Sequence, residues 1–184
     1  GTGVLALWAV TFAQPTAMRL IAVPGATKRI SQLTGDFDRA LNKPTLTQTT
    51  RRFGIVGTDL GSSFEHKGRL YFLFGDTLGQ PGALDAIGWT SSRDPLTISL
   101  DFHAGRGGRW LPPSVPGIKQ AGLEVPSGGI SIDSTMFVVF TTDHTEARPM
   151  GRSVVASWTD DGRTFKVLYD LSRDKFINVS FVAR

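Results

Sequence analysis

Short runs of apolar, β-branched and aromatic residues, separated by turns rich in glycine and proline, occupy the chain from Arg52 onward. Runs of this length and composition are typical of β-strands. They predict the strands Phe53–Asp59, Leu60–Glu65 as its continuation after a bend, Arg69–Gly75, Ala86–Ser91, Thr97–Phe102, Glu124–Ile132, Thr135–Thr141, Ser153–Trp158, Phe165–Leu168 and Phe176–Val182. We therefore expect an all-β fold.

Two strand sequences recur along the chain. Leu70–Phe74 resembles Met136–Phe140 at an offset of 66 residues, and the Trp-Thr pair that begins at Trp89 recurs at Trp158 at an offset of 69. A repeat of this size with four antiparallel strands has the proportions of a propeller blade, although compact blades take about 40–50 residues. A β-sandwich with chance strand similarity is the alternative. The repeat predicts about two blades and the first strand of a third.

One hairpin brings two carboxylates together. Lys67-Gly68 suits a two-residue turn because glycine supplies the positive φ that such turns require. With that turn, Phe64 faces Tyr71 and Asp59 faces Asp76, because the numbers of facing residues sum to 135. Like charges directly opposite each other are destabilising. The pair therefore indicates either acid/base chemistry or a bound cation, for which calcium is the candidate because it prefers oxygen ligands.

Composition, charge and the absence of certain motifs argue against several classes of function. The net charge is +4 with a pI near 9.8, but the basic residues are scattered, so we predict no nucleic-acid partner. No glycine-rich loop follows a strand and opens a helix, which argues against nucleotide binding. The chain has no cysteine, so a thiol nucleophile and a cysteine-based metal site are excluded. The three histidines show no metal spacing, and we predict no metal site and no cofactor.

The N-terminal segment predicts export. Val4–Ala13 is apolar and has the length of the hydrophobic region of a signal peptide, although no basic residues precede it. It is too short for a membrane span, which needs roughly 20 residues. We assign residues 1–28 to a leader or signal-like segment and expect a secreted or cell-envelope protein.

Four motifs resemble one bacterial family. They are Arg29–Gly35, Phe53–Gly61, Gly68–Thr77 and Glu124–Gly128. The family is a five-bladed β-propeller long described only as a domain of unknown function, and it includes endo-D-arabinanases, glycoside hydrolases that cut mycobacterial arabinan. The resemblance covers about Arg29 to Val182, the N-terminal part of the family's domain. It implies that residues 29–184 form a partial β-propeller glycoside hydrolase-like domain, truncated relative to a full-length protein that is a monomer.

The family places its catalytic carboxylates in the propeller funnel, at positions that match Asp59 and Asp76. Glycoside hydrolysis needs one carboxylic acid and one carboxylate. Two neighbouring carboxylates meet this need, because their mutual repulsion raises the pKa of one and leaves the other ionised. Asp59 lies among small residues, which leaves room for a sugar or water and favours the base or nucleophile role. Asp76 follows an apolar strand, which favours the acid role; the opposite assignment stays open.

Three further residues are candidates for substrate binding. Glu124 heads the first strand of the second repeat, where it would point into the funnel; an ion pair with an arginine is the alternative. Asn178 has the corresponding place in the third repeat. Trp110, in a loop rich in glycine and proline, is a candidate for stacking on a sugar ring, with core packing as the alternative.

These residues predict a glycoside hydrolase that cleaves arabinofuranosyl linkages of a cell-wall polysaccharide with a pair of aspartates. A different glycan is open. The alternatives are a non-catalytic glycan-binding propeller or adhesin, and a structural calcium site at the aspartate pair.

Overall fold

The structure, a computed structural model, describes residues 21–80 (without the side chain of Leu60), 82, 84–120, 124–149, 151–159, 163–175 and 178–182.

The residues before the first sheet form small, hydrogen-bonded elements. Strands β1 (Phe37–Asp38) and β2 (Lys43–Pro44) pair with each other, and the short helix α1 (Thr49–Phe53) follows. Helix α1 ends at Gly54, whose φ of 73° closes the last turn. Most of the expected leader, residues 1–28, lies outside the described residues.

The first sheet is a four-stranded antiparallel meander. It consists of β3 (Ile55–His66), β4 (Arg69–Gly79), β5 (Leu84–Thr90) and β6 (Asp101–Phe102), in that spatial order. The predicted turn at Lys67-Gly68 is confirmed, with positive φ at both residues. The predicted strand Thr97–Phe102 is wrong over its first four residues. There, backbone and side-chain hydrogen bonds from Thr97 to Asp94 form a turn instead of a ladder.

The second sheet repeats this topology. Strands β7 (Val125–Ile132), β8 (Thr135–Thr142), β9 (Arg152–Trp158) and β10 (Phe165–Ser172) pair in chain order. The two similar strand sequences lie in β4 and β8, the second strand of each sheet, and the two similar tryptophans lie in the third strands. The sequence repeat therefore corresponds to a structural repeat, and the all-β prediction is confirmed.

The predicted last strand, Phe176–Val182, is not observed. Residues 178–182 belong to no strand, and Phe176 and Ile177 lie outside the described residues. The segment is held against β7 by a side chain, because Ser127 Oγ donates to the carbonyl oxygen of Val179 at 2.9 Å.

Alternating side chains of β4 place one hydrophobic cluster on each face of the first sheet. Tyr71 and Leu73 face the second sheet and pack with residues that include Val138 and Phe140. Phe74 faces the other way, into a cluster that also contains these residues: Phe53, Ile55, Leu100, Phe102 and Trp110. The first sheet is thus buried on both faces, which fixes its position beside the second.

A close approach brings the first strands of the two sheets together. A Cβ atom at Gly129 in β7 would lie 2.5 Å from Cδ1 of Phe64 in β3, so only glycine fits there without displacement of the ring. Asp59 stands five residues before Phe64, and Glu124 stands five residues before Gly129. The two strands therefore bring these two carboxylates to the same end of the paired sheets.

No helix among the described residues has the length and apolar character needed to cross a bilayer.

Candidate active site

The two predicted catalytic aspartates are neighbours on adjacent strands, but they are not directly opposite. From His66–Arg69 to Ser62–Leu73 the register follows the prediction. Beyond Ser62 it shifts, and Asp59 pairs with Gly75 instead of Asp76. The direct Asp59–Asp76 pairing is therefore wrong. The reason is a set of β-bulges, which insert extra residues and displace the ladder.

Asp76 lies within one of these bulges. Between Gly75 and Leu78, β4 advances three residues while β3 advances two, from Asp59 to Gly57. The backbone of Asp76 has a φ of 36°, a left-handed conformation that aspartate tolerates better than most residues. Bulges are common next to active sites because they redirect a side chain. Here the bulge leaves Asp76 half-buried, between a solvent-exposed Asp59 and the protein interior.

The electrostatic surroundings of Asp76 disfavour its ionised form. Burial raises the pKa of its carboxyl, and the negative charges of Asp59 and Glu124 raise it further. Each cause disfavours the ionised form. Asp76 thus retains its proton to a higher pH than an ordinary aspartate, in the direction that the sequence predicted.

Asp85 is a fourth acidic residue in this region, and the sequence analysis missed it. It lies in β5, between the pairs Phe74–Ala86 and Thr77–Leu84. Only 4% of it is exposed, and its Oδ1 atom has no hydrogen-bond partner among the described residues. Burial, together with the charges of Asp76 and Glu124, raises its pKa to about 8. Asp85 is therefore protonated at neutral pH.

Glu124 is buried, with 5% of its surface exposed, directly before β7. Its charge raises the pKa of both Asp76 and Asp85, so it lies within electrostatic reach of both. We call Asp59, Asp76, Asp85 and Glu124 the acidic group. It combines residues of both sheets, and its members differ widely in exposure.

The two other predicted binding residues lie elsewhere. Asn178 is exposed in the segment beside β7. Trp110 is only 1% exposed and packs in the hydrophobic cluster of the first sheet, which is the core-packing alternative. Its indole Nε1 donates to the backbone carbonyl of Asp85 at 3.4 Å. The tryptophan therefore supports the backbone at the acidic group, and its ring is not available to a sugar.

A set of carboxyl groups with separated pKa values can perform acid/base catalysis, because one member donates a proton while another remains ionised. The pKa values of Asp76 and Asp85 are raised. The side chain of Asp59 is exposed to solvent. Among the described residues, no three His, Cys, Asp or Glu side chains are grouped so that they could hold a metal ion.

Comparison with known proteins assigns most of the chain to one family model. Residues 45–181 match the model described as "Domain of unknown function (DUF4185)". The match includes both sheets and the whole acidic group. A curated protein of Aspergillus sp. (strain MF297-2), "Notoamide biosynthesis cluster protein J", is 32% identical over 77 residues, which is 41% of this chain and 20% of that protein. The chain thus aligns with about a fifth of the length of this relative.

Proposed function

Because the chain belongs to the family described as "Domain of unknown function (DUF4185)", and because its acidic group lies inside the matched region, we propose that it carries the catalytic carboxylates of a glycoside hydrolase. The observation that carries the proposal is the environment of Asp76. It is a half-buried carboxyl whose pKa is raised by burial and by two neighbouring charges. A glycosidase needs such a group to protonate the leaving oxygen.

Each member of the acidic group has a role in this proposal. Asp76 is the general acid. Asp59, which is exposed and adjacent to Asp76 across β3 and β4, is the base or nucleophile. Glu124 accepts hydrogen bonds from sugar hydroxyls or assists as a further acid. Asp85 is a positioning residue: protonated, it offers an O–H donor and adds no negative charge beside Asp76.

The proposed substrate is a polysaccharide with arabinofuranosyl linkages, cut internally as by an endo-D-arabinanase. This part of the proposal rests on the motifs that resemble the arabinanase-containing propeller family. Two sheets of the same topology, joined along their first strands, are consistent with two blades of a five-bladed propeller. A cell-wall substrate also implies a secreted or cell-envelope protein, and we propose a monomer.

The test measures new reducing ends after the protein is incubated with purified arabinan. General acid/base groups contribute about 100- to 10,000-fold to the rate. We therefore expect Asp76→Asn and Asp59→Asn each to reduce the rate by at least about 100-fold. The control is Asp174→Asn, which removes an exposed carboxylate outside the acidic group and should retain the wild-type rate.

Product size separates endo from exo cleavage, because an endo enzyme releases oligosaccharides of intermediate length. Wild-type activity in either acidic-group variant would refute the proposed mechanism. Saturable arabinan binding without new reducing ends would instead indicate a glycan-binding protein.

A further inference from the structure

The turn end of the two sheets contains a concave site, far from the acidic group. It is a cavity of about 430 Å³ between the sheets, within the range of small-molecule sites, about 300–1,000 Å³. Asp59 lies seven positions before His66 along β3, and His66 lines the cavity. At about 3.3 Å per residue, the two sites are roughly 20 Å apart. A ligand of the cavity would therefore not contact the proposed catalytic carboxylates.

Aromatic rings form much of the cavity wall. Tyr71, Trp89 and Trp158 all line it, together with His66. Tyr71 and Trp158 meet edge to face at 5.2 Å between ring centroids, and Tyr71 and Trp89 lie 6.2 Å apart. These contacts hold the rings in fixed positions. Rigid aromatic walls suit a ligand with a flat ring, because the ring can stack without reorganising the site.

The charge of the cavity favours an anion. Lys67 and Arg69 line it, and none of the lining residues that the structure describes is a carboxylate. Lys67 lies in the hairpin turn, and the guanidinium carbon of Arg69 lies 6.0 Å from the Trp89 ring centroid. A cation held over an aromatic face remains available to an anionic group of a stacked ligand.

We propose that this aromatic cavity, defined by Lys67, Arg69, Tyr71, Trp89 and Trp158, binds a small anionic ring compound. The ring stacks against the tryptophans, and a carboxylate or phosphate binds Arg69 and Lys67. Two sources share this chemistry: an acidic sugar and an aromatic acid. The proposal does not depend on glycosidase activity of the acidic group.

Binding is tested with D-glucuronate and benzoate as probes, and with D-glucose and benzamide as their uncharged counterparts. Titrations of the 184-residue chain are followed by tryptophan fluorescence and by calorimetry. At least one anion should bind saturably below about 10 mM, and its uncharged counterpart should bind at least about 10-fold more weakly. The anion that binds shows whether the site prefers the sugar or the aromatic acid.

Two matched variants locate the site. Arg69→Gln should weaken binding about 10-fold, which corresponds to about 1.4 kcal/mol. Arg106→Gln removes the same charge from an exposed position outside the cavity and should change affinity less than about twofold. If Arg69→Gln does not fold, Lys67→Asn replaces it, because asparagine tolerates the φ of 45° at that position.

Asp76→Asn separates this proposal from the proposed function, since it should leave anion binding unchanged whether or not it abolishes hydrolysis. The proposal is refuted if neither anion saturates, or if each uncharged counterpart binds equally well. It is also refuted if Arg106→Gln weakens binding as much as Arg69→Gln, or if Asp76→Asn abolishes it.

Discussion

The buried carboxyl of Asp85 makes a quantitative prediction about stability. Its pKa rises from an ordinary 3.8 to about 8 in the folded protein. Between these values the folded state keeps a proton that the unfolded state releases. Stability therefore falls as the pH rises through this range, and it is not lowered further above about pH 8. The Asp85→Asn substitution removes this dependence, because the amide has nearly the same shape and does not ionise.

The magnitude follows from the size of the pKa change. A change of one unit in pKa corresponds to about 1.4 kcal/mol. The rise in the pKa of Asp85 from 3.8 to about 8 can therefore change the free energy of unfolding by at most about 6 kcal/mol. Between about pH 5 and about pH 8, this one carboxyl can lower the free energy of unfolding by up to about 4 kcal/mol. We therefore expect Asp85→Asn to gain stability relative to the wild type by about 2–4 kcal/mol as the pH rises over this interval.

Urea unfolding, followed by tryptophan fluorescence at several pH values, measures the difference between the two proteins. Asp174→Asn is the control, because it makes the same chemical change at an exposed site and should show no comparable pH trend. A raised pKa at Asp85 is refuted if the stability difference between Asp85→Asn and the wild type changes by less than about 1 kcal/mol over this interval, or if it changes in the opposite direction.

Three other perturbations test the account of the structure. Gly129→Ala should destabilise the protein by about 1–3 kcal/mol because the added Cβ meets the Phe64 ring. In denaturant unfolding, the double variant Gly129→Ala with Phe64→Ala should recover part of this loss. If the two substitutions are simply additive, the contact is contradicted. Burial raises the pKa of Asp38, but bonds from the Leu41 N–H and from Arg29 outweigh it and leave the pKa lowered. Asp38→Asn should therefore lower the melting temperature at neutral pH. Below about pH 4 the destabilisation should become progressively smaller, because the wild type loses the same contribution as Asp38 is protonated. A destabilisation that grows in acid would contradict the lowered pKa. A chelator should change neither the melting temperature nor the hydrolysis rate if the acidic group acts without calcium, and a fall in both would support the calcium alternative.

Local patterns allowed the hairpins to be predicted from the sequence. Lys67-Gly68 fixes the turn, and the register that it sets holds for the five pairs from His66–Arg69 to Ser62–Leu73. The two repeated strand sequences likewise identified the second strands of both sheets. Turn chemistry and strand composition act over a few residues, so a single sequence carries enough information to locate these elements.

Features that depend on contacts between distant segments were not predicted. Helix α1 is held by side-chain bonds such as that from Thr49 Oγ1 to the carbonyl oxygen of Ile55, so its five residues carry little periodic signal. Residues 178–182 pack against β7 without joining its ladder, although their composition favours a strand. Trp110 has no local pattern that distinguishes a buried ring from an exposed one. In each case tertiary packing decides the outcome.

The acidic group shows how a small error in a strand boundary conceals a buried acidic residue. In β4 and β5, paired residue numbers sum to 160 from Leu70–Thr90 to Phe74–Ala86. A further step in the same register would place Asp85 beside Gly75, which pairs with Asp59 on its other side. The signal was therefore present, but the predicted strand began at Ala86, two residues after the start of β5, and so did not include Asp85. The regular ladder between β4 and β5 ends at Phe74–Ala86, where a bulge in β4 begins. A separate bulge in β3, between Asp59 and Ser62, displaces Asp59 from Asp76. The ladder is therefore irregular on both sides of β4 where the acidic group lies, and strand composition alone does not predict such irregularities.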